Sequence, residues 1–306
     1  MNKICLFLGH NRFTGVNTWA LTLVNELIKF NYEVDVIIEN NNSSFGYVNG
    51  YDEFIKKIPT NVCYDKSYLD NKYDCAIISY NVHLGILDVP TIFVSHSTKQ
   101  DISTLVGKVD YHVAVSKLIQ ECYNTDEVIV NGVDLNYYKK INEPSGIPKN
   151  VVLISRYEPD YTLHYACKLL KLNLLHLQYE ENIIEHLQYA DIVIGAGRSC
   201  YEGMSCGKPT LVYNALCKDS SGKLLVDGWI KENNFERLLY RNCSGFGIGN
   251  AGEFKQEFYV KDVEDWMHLL TIYNKSDGDE NCKLAEKYLS SEVMGYKFDK
   301  VIKKLI

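Results

Sequence analysis

The sequence contains no CxxC pair and no cysteine–histidine cluster at zinc-ligand spacing, which argues against a zinc module and against a dithiol redox centre. Its ten cysteines (5, 63, 75, 122, 167, 200, 206, 217, 243 and 282) stand singly in apolar segments, as small buried hydrophobes do in a reducing compartment. No apolar run approaches the roughly 18 residues that a membrane span needs. The opening MNKICLFLGHNR turns polar too soon to supply a signal-peptide core, so a soluble cytoplasmic protein is expected. Excess positive charge is also lacking: the formal net charge is -7, which argues against a general nucleic-acid binder. There is no internal repeat at fixed period and no low-complexity tract.

What is present is an ordinary globular composition, 46% hydrophobic and 23% charged, over 306 residues, a length that suggests two domains. The first half alternates short Val/Ile-rich runs (KICLFLG, YEVDVIIE, YDCAIISY, PTIFVSH, DYHVAVS, EVIVNG) with helical patterns such as NTWALTLVNELIKFN. Such alternation indicates a parallel sheet with helices on both faces. A segment without periodicity, NGVDLNYYKKINEPSGIPKN, reads as an interdomain linker. A second series follows: VVLISR, YTLHYACKLLKL, NLLHLQ, ENIIEHLQYA, DIVIGAG, CYEGMSC and PTLVY, then a tail from Glu264 to Ile306 that reads as wholly helical. The fold class expected is α/β, with two doubly wound, Rossmann-like parallel-sheet domains facing a cleft. The divisions fall at 1–142, 143–285 and 286–306, the last a helix that packs back on the first domain.

One stretch asks for chemistry. In DIVIGAGRSCYEGMSCGKPTLVY a strand ends at Gly195, and Gly197 and Ser199 lead into a helix carrying Glu202, four residues after Arg198. Glycines there admit a ligand to the backbone, and the amides at a helix start favour an anion such as phosphate. A carboxylate one turn further on suits the two hydroxyls of a ribose. The same residues also fit a plain glycine turn, with Glu202 complementing the helix dipole. Arg198 faces either a ligand or solvent.

This stretch resembles the donor-binding segment of glycosyltransferase family 4, in the subgroup that reads GxGRSxxExMxxGKP. Other segments agree in order: FTGVNTWALTLVNELIKFNYEVDV is similar to the family's glycine loop, first helix and second strand, and VDYHVAVSKLIQECY with VIVNGVDLNYY to its AVS strand and NGVD segment. VVLISRYEP resembles the first strand of its second domain, and DGWIKENNFERLLYRNCSGFG a stretch found after the GKP strand. The resemblance implies GT-B architecture and a hexosyltransferase-like, retaining enzyme that needs neither metal nor other cofactor. Its donor would be a UDP- or GDP-linked sugar and its acceptor a glycan, a lipid-linked species or another molecule. The residues implied are Gly15, Gly195, Gly197, Arg198, Ser199, Tyr201 and Glu202 for the donor, Arg156 for the diphosphate, and His96 beside the transferred sugar, with Arg156 and His96 as the catalytic pair. Tyr201 fits a base-stacking role or a place in the core, His96 fits a strand-end structural role as well, and Asn131 and Asp134 fit a turn.

The chain departs from the family twice. Ile194 stands where the first of two spaced glutamates is usual, as in the GRS subgroup, and no lysine follows Arg156, leaving Arg198, Lys168 or Lys208 as substitutes. An epimerase or hydrolase of the same fold, or a non-catalytic nucleotide-sugar binder, therefore stays open beside the transferase. The polar segment 40–54 is placed to meet an acceptor. Many family members work at the inner membrane surface, but the basic footprint here (IKK at 55–57 and KVIKKLI) is small.

Overall fold

The computed structural model describes residues 1–8, 15–38, 56–63, 72–79, 88–97, 109–178, 182–218, 224–245 and 258–306; the segment 40–54 lies outside them. The chain divides into two compact units, Met1–Asp134 with Ser290–Ile306, and Leu135–Leu289.

In the first unit the strands β1 (Lys3–Leu8), β2 (Glu33–Ile38), β3 (Asn61–Cys63), β4 (Cys75–Ile78), β5 (Thr91–Ser95), β6 (Tyr111–Ala114) and β7 (Glu127–Val128) form a sheet in the order β3-β2-β1-β4-β5-β6-β7. Every pairing is parallel. β4 and β5 are buried along their whole length, so no alternation with polar residues is called for. Helix α1 (Gly15–Lys29) presents Trp19, Ala20, Leu23, Val24 and Leu27 as one buried stripe and is stopped by Asn31 in the left-handed region (φ 65°). Helix α2 (Lys117–Tyr123) is capped by the Ser116 hydroxyl, which accepts from the amide of Ile119.

The second unit contains β8 (Asn150–Ile154), α3 (Tyr161–Leu169), β9 (Asn173–Leu177), α4 (Ile184–Tyr189), β10 (Ile192–Gly195), α5 (Arg198–Ser205), β11 (Thr210–Lys218), β12 (Leu224–Trp229), α6 (Glu232–Tyr240), β13 (Phe258–Val260), α7 (Val263–Thr271) and α8 (Asp277–Tyr288). Its sheet runs β13-β12-β11-β10-β8-β9. β9, β8, β10 and β11 are parallel, whereas β12 and β13 add to the far edge antiparallel, so this sheet is mixed where parallel strands throughout were expected. The helix that carries Glu202 begins at Arg198, two residues before the expected Cys200.

Residues 135–142, placed with the first domain on the sequence, are held to the second unit. Gln188 takes the Lys139 carbonyl (2.9 Å), and Lys140 pairs with Asp279. Further along the same segment, the buried Asp191 accepts backbone amides from Ser145, Lys149 and Asn150 at 2.7–2.9 Å, which holds its carboxyl below the ordinary range despite burial. The tail is helical: α7 and α8 are followed by α9 (Ser291–Leu305), which the Ser290 hydroxyl caps and which belongs to the first unit. There Met294, Phe298, Val301 and Ile302 enter the core with Trp19 and Leu23. Gly132 of the NGVD segment makes this approach possible, since a Cβ on it would stand 2.6 Å from Ser291 Cα, and the Val133 carbonyl accepts from Ser291 N (3.0 Å). NGVD thus seats the last helix as well as turning the chain.

Candidate functional site

The order of the second sheet decides where a ligand can approach. From β8 the chain moves to one side to make β9, then crosses back to place β10 on the other side of β8. The connections diverge between β8 and β10, and that switch point opens at the carboxyl ends of the two strands. Gly195 lies there, with Ile154 O 3.5 Å from where its Cβ would be.

The turn from β10 into α5 depends on glycine. Gly197 has φ 59° and ψ -126°, a backbone conformation that side chains rarely adopt. As the cap residue it offers no side-chain hydrogen bond, and its carbonyl accepts from the amide of Cys200 (3.0 Å). Its own N–H is committed to the Cys243 carbonyl (2.7 Å). That carbonyl is aimed by a segment after α6 in which Asn242 and Cys243 both take positive φ (58° and 46°). Gly203, one turn into α5, lets the helix settle on β10: a Cβ would come within 2.8 Å of Val193 Cγ1. Gly197→Ala is expected to cost about 1–3 kcal/mol of stability, read as a lower urea midpoint for the second unit; an unchanged midpoint would mean that the turn relaxes freely.

Arg156 stands two residues beyond the end of β8, exposed, with its guanidinium over the Tyr157 ring at 4.7 Å. Three other cations were candidates to assist it, and each is committed or directed elsewhere. Lys208 is fully buried at the amino end of β11, its ammonium donating to the carbonyls of Asn142 and Gln188 at 2.8 Å each, and burial lowers its pKa. Lys168 lies in the last turn of α3, which starts beyond the carboxyl end of β8 and returns toward the amino end of β9. Arg198 is buried, and its Nε donates to Glu202 Oε1 at 2.9 Å.

Glu202 is therefore an enclosed group. Burial pushes its carboxyl above the ordinary range, and Arg198 and a hydrogen bond from Tyr138 oppose that shift. Tyr138 is held well above its usual pKa by its own burial and by the Glu202 charge, so it remains a donor. Tyr201 is fully buried with its hydroxyl on Asn242 Oδ1 (2.9 Å). No ring face remains for a base, and its role is to tie α5 to the 242–243 segment. Ser199, on the first turn of α5, is half-buried.

The first unit holds the other two expected residues. Gly15 is the exposed first residue of α1, with no left-handed backbone and with nothing among the described residues within 4 Å of where a Cβ would lie. His96 follows β5 directly and meets Trp19 edge-on, with ring centroids 4.6 Å apart. Burial pushes its pKa down to about 3, so its imidazole is neutral at physiological pH. Among the described residues no group of three His, Cys, Asp or Glu side chains is arranged to hold a metal ion, and no helix is long and apolar enough to cross a membrane.

Sequence reasoning missed Tyr138, Asn242 and Cys243. The last two lie in YRNCSG, a stretch marked only by its resemblance.

No protein-family model matches the chain, and no curated protein matches it in sequence. Solved structures do match it in fold. HepE of Anabaena, solved with UDP and glucose, superposes with a TM-score of 0.63 at 14% identity, covering 100% of both chains. A glycosyltransferase from Rickettsia africae gives 0.57 at 13% identity over 99% of this chain and 98% of its own. A putative UDP-N-acetylglucosamine 2-epimerase from Listeria monocytogenes gives 0.56 at 11% identity over 99% and 96%. The architecture shared with these chains is GT-B: two Rossmann-like α/β units with a helical C-terminal tail.

Proposed function

We propose that the chain is a glycosyltransferase that moves a sugar from a UDP- or GDP-linked donor to a glycan, lipid-linked or other acceptor. The observation that carries this reading is the glycine turn through Gly197 that starts α5 at the switch point, with the exposed Arg156 two residues beyond β8. A diphosphate placed there meets backbone amides and a guanidinium, both suited to its charge. HepE, solved with UDP and glucose and again with UDP-glucose, supports a nucleotide sugar as the ligand of this fold.

In the proposed reaction the bond between the anomeric carbon and the diphosphate oxygen breaks, and the diphosphate keeps the electron pair. The acceptor hydroxyl attacks from the same face and its proton passes to the departing diphosphate, so configuration is retained and no separate base is needed. Arg156 and the α5 amides stabilise the growing negative charge without reorganising, which lowers the barrier without a metal. His96 serves as a neutral hydrogen-bonding group beside the transferred sugar, since its pKa is too low for proton transfer near neutrality. Glu202 accepts the ribose hydroxyls.

Calorimetry with UDP and GDP tests the donor assignment: Arg156→Ala and Glu202→Ala should each lose about 1–3 kcal/mol of nucleotide affinity, the size of a lost charged hydrogen bond. Unchanged affinity in both variants would overturn it.

The likeness to the Listeria epimerase favours a second reading, turnover of the nucleotide sugar alone. Labelled donor incubated without acceptor separates the two, because an epimerase converts it and a transferase does not.

A further inference from the structure

We infer that Arg198 and Tyr138 are positioning residues that hold the Glu202 carboxylate for a ribose diol, and that Arg198 is not a phosphate ligand. This rests on the reading of Glu202 as the ribose acceptor.

Arg198 is the third residue after β10 and lies on the first turn of α5, where an arginine available to a diphosphate would extend toward the amino end of the helix. Instead its side chain is 8% exposed and its Nε lies 2.9 Å from Glu202 Oε1, itself on a side chain only 6% exposed. The pair spans one helical turn, the i to i+4 spacing that brings such side chains together. The helix under it is fixed: Gly203 seats it on β10, Tyr201 ties it to Asn242, and the Gly197 amide ties its start to Cys243. The carboxylate consequently has one position, and two donors, from different parts of the chain, converge on it.

The count of acceptor sites explains what this achieves. A carboxylate accepts about four hydrogen bonds. Arg198 and Tyr138 use two, leaving two for a pair of adjacent ribose hydroxyls. An enclosed carboxylate accepts both only while ionised, and desolvation alone would favour its protonated form. Arg198 opposes this from the same helix and Tyr138 from the segment preceding β8. Among the described residues, Cys200 on α5 and Cys206 just after it also feel the Glu202 charge, and Cys282 of the adjoining α8 donates to Ser205 O (3.7 Å). Burial raises all three thiols, so they stay neutral. Among the described residues Arg198 is the cation paired with Glu202, and its loss should move the carboxylate's titration upward.

The test compares the full chain with Arg198→Gln, Arg198→Lys and Tyr138→Phe. Calorimetry is run with whichever of UDP and GDP the wild type binds and with its 2′,3′-dideoxy analogue, between about pH 5 and 8. A positioning role predicts that Arg198→Gln weakens nucleotide binding about tenfold or more while the dideoxy analogue binds as before, so that discrimination between them collapses. Affinity of the wild type should fall as pH drops through the raised Glu202 pKa, and in Arg198→Gln this fall should begin at higher pH. Tyr138→Phe should shift both readouts in the same direction by less, and Arg198→Lys should restore part of the discrimination. Equal loss for both ligands, with an unchanged pH profile, would identify Arg198 as a phosphate ligand and overturn the inference while leaving Glu202 at the ribose. A wild type that binds nucleotide and its dideoxy analogue equally overturns the reading of Glu202, and the inference with it. If Arg198→Gln melts below assay temperature, Tyr138→Phe and Arg198→Lys carry the same comparison.

Discussion

A chain ending at Leu289 is expected to lose the folded first unit. Helix α9 places Met294, Phe298, Val301 and Ile302 in that core, against Trp19 and Leu23. At about 1.5–3 kcal/mol for each fully buried large apolar side chain, the four together contribute roughly 6–12 kcal/mol. That is comparable with the whole stability of a domain, about 5–15 kcal/mol. Polar partners go as well: Glu26, 2% exposed in α1, loses the Ser291 hydroxyl (2.6 Å), and Tyr32 loses Asp299 (2.9 Å). Limited proteolysis of the shortened chain should degrade residues 1–134 while a fragment covering the second unit persists. A milder version, Phe298→Ala, should cost about 3–5 kcal/mol in urea unfolding. A shortened chain whose first unit resists protease as the intact one does would show that α9 is an accessory to that core.

Asp227→Ala is the second large effect. Asp227 in β12 and Arg241 after α6 form an ion pair at 2.7 Å, with both side chains 1% exposed. Removing the carboxylate leaves a guanidinium buried without its counter-charge, and such losses run to about 3–5 kcal/mol. Arg241 directly precedes Asn242 and Cys243, whose side chain and carbonyl hold Tyr201 and Gly197. The substitution should therefore reach the donor site as well as the core, and nucleotide affinity should fall although Asp227 touches no ligand. Asp227→Asn, which keeps the shape and an acceptor, should lose less. Denaturant unfolding followed through the tryptophans of the second unit gives the stability, and calorimetry on the folded fraction gives the affinity. Stability within about 1 kcal/mol of wild type would remove the ion pair from any structural role.

Much of this was open to reading in the chain itself, for definite reasons. Strands buried on both faces must be nearly continuous in Val, Ile and Ala, so KICLFL, CAII and TIFVS declared themselves and with them the parallel sheets. β12 did not, since LLVDGW carries a charge and a glycine whose sense comes only from Arg241 across the fold. The tail read as wholly helical because its apolar spacing persists, whereas the start of α9 is set by the Ser290 cap, which periodicity does not weigh. In the site, the glycines were legible because their demands are local: Gly197 needs its backbone angle and Gly203 its closeness to Val193. The partners were not. The spacing of Arg198 and Glu202 allows an ion pair, yet burial decides whether one forms, and Tyr138 sits where no pattern of hydrophobicity points to it.

The second unit, Leu135–Leu289, is inserted into the first, whose last helix comes after it in the chain. During synthesis the order of completion is then inverted. The β1–β7 sheet leaves the ribosome first and lacks the helix that covers Trp19, while the second unit emerges later yet has all of its own core before Ser290 is added. The early half therefore waits with an unfinished apolar face, and the late half is the first that can fold.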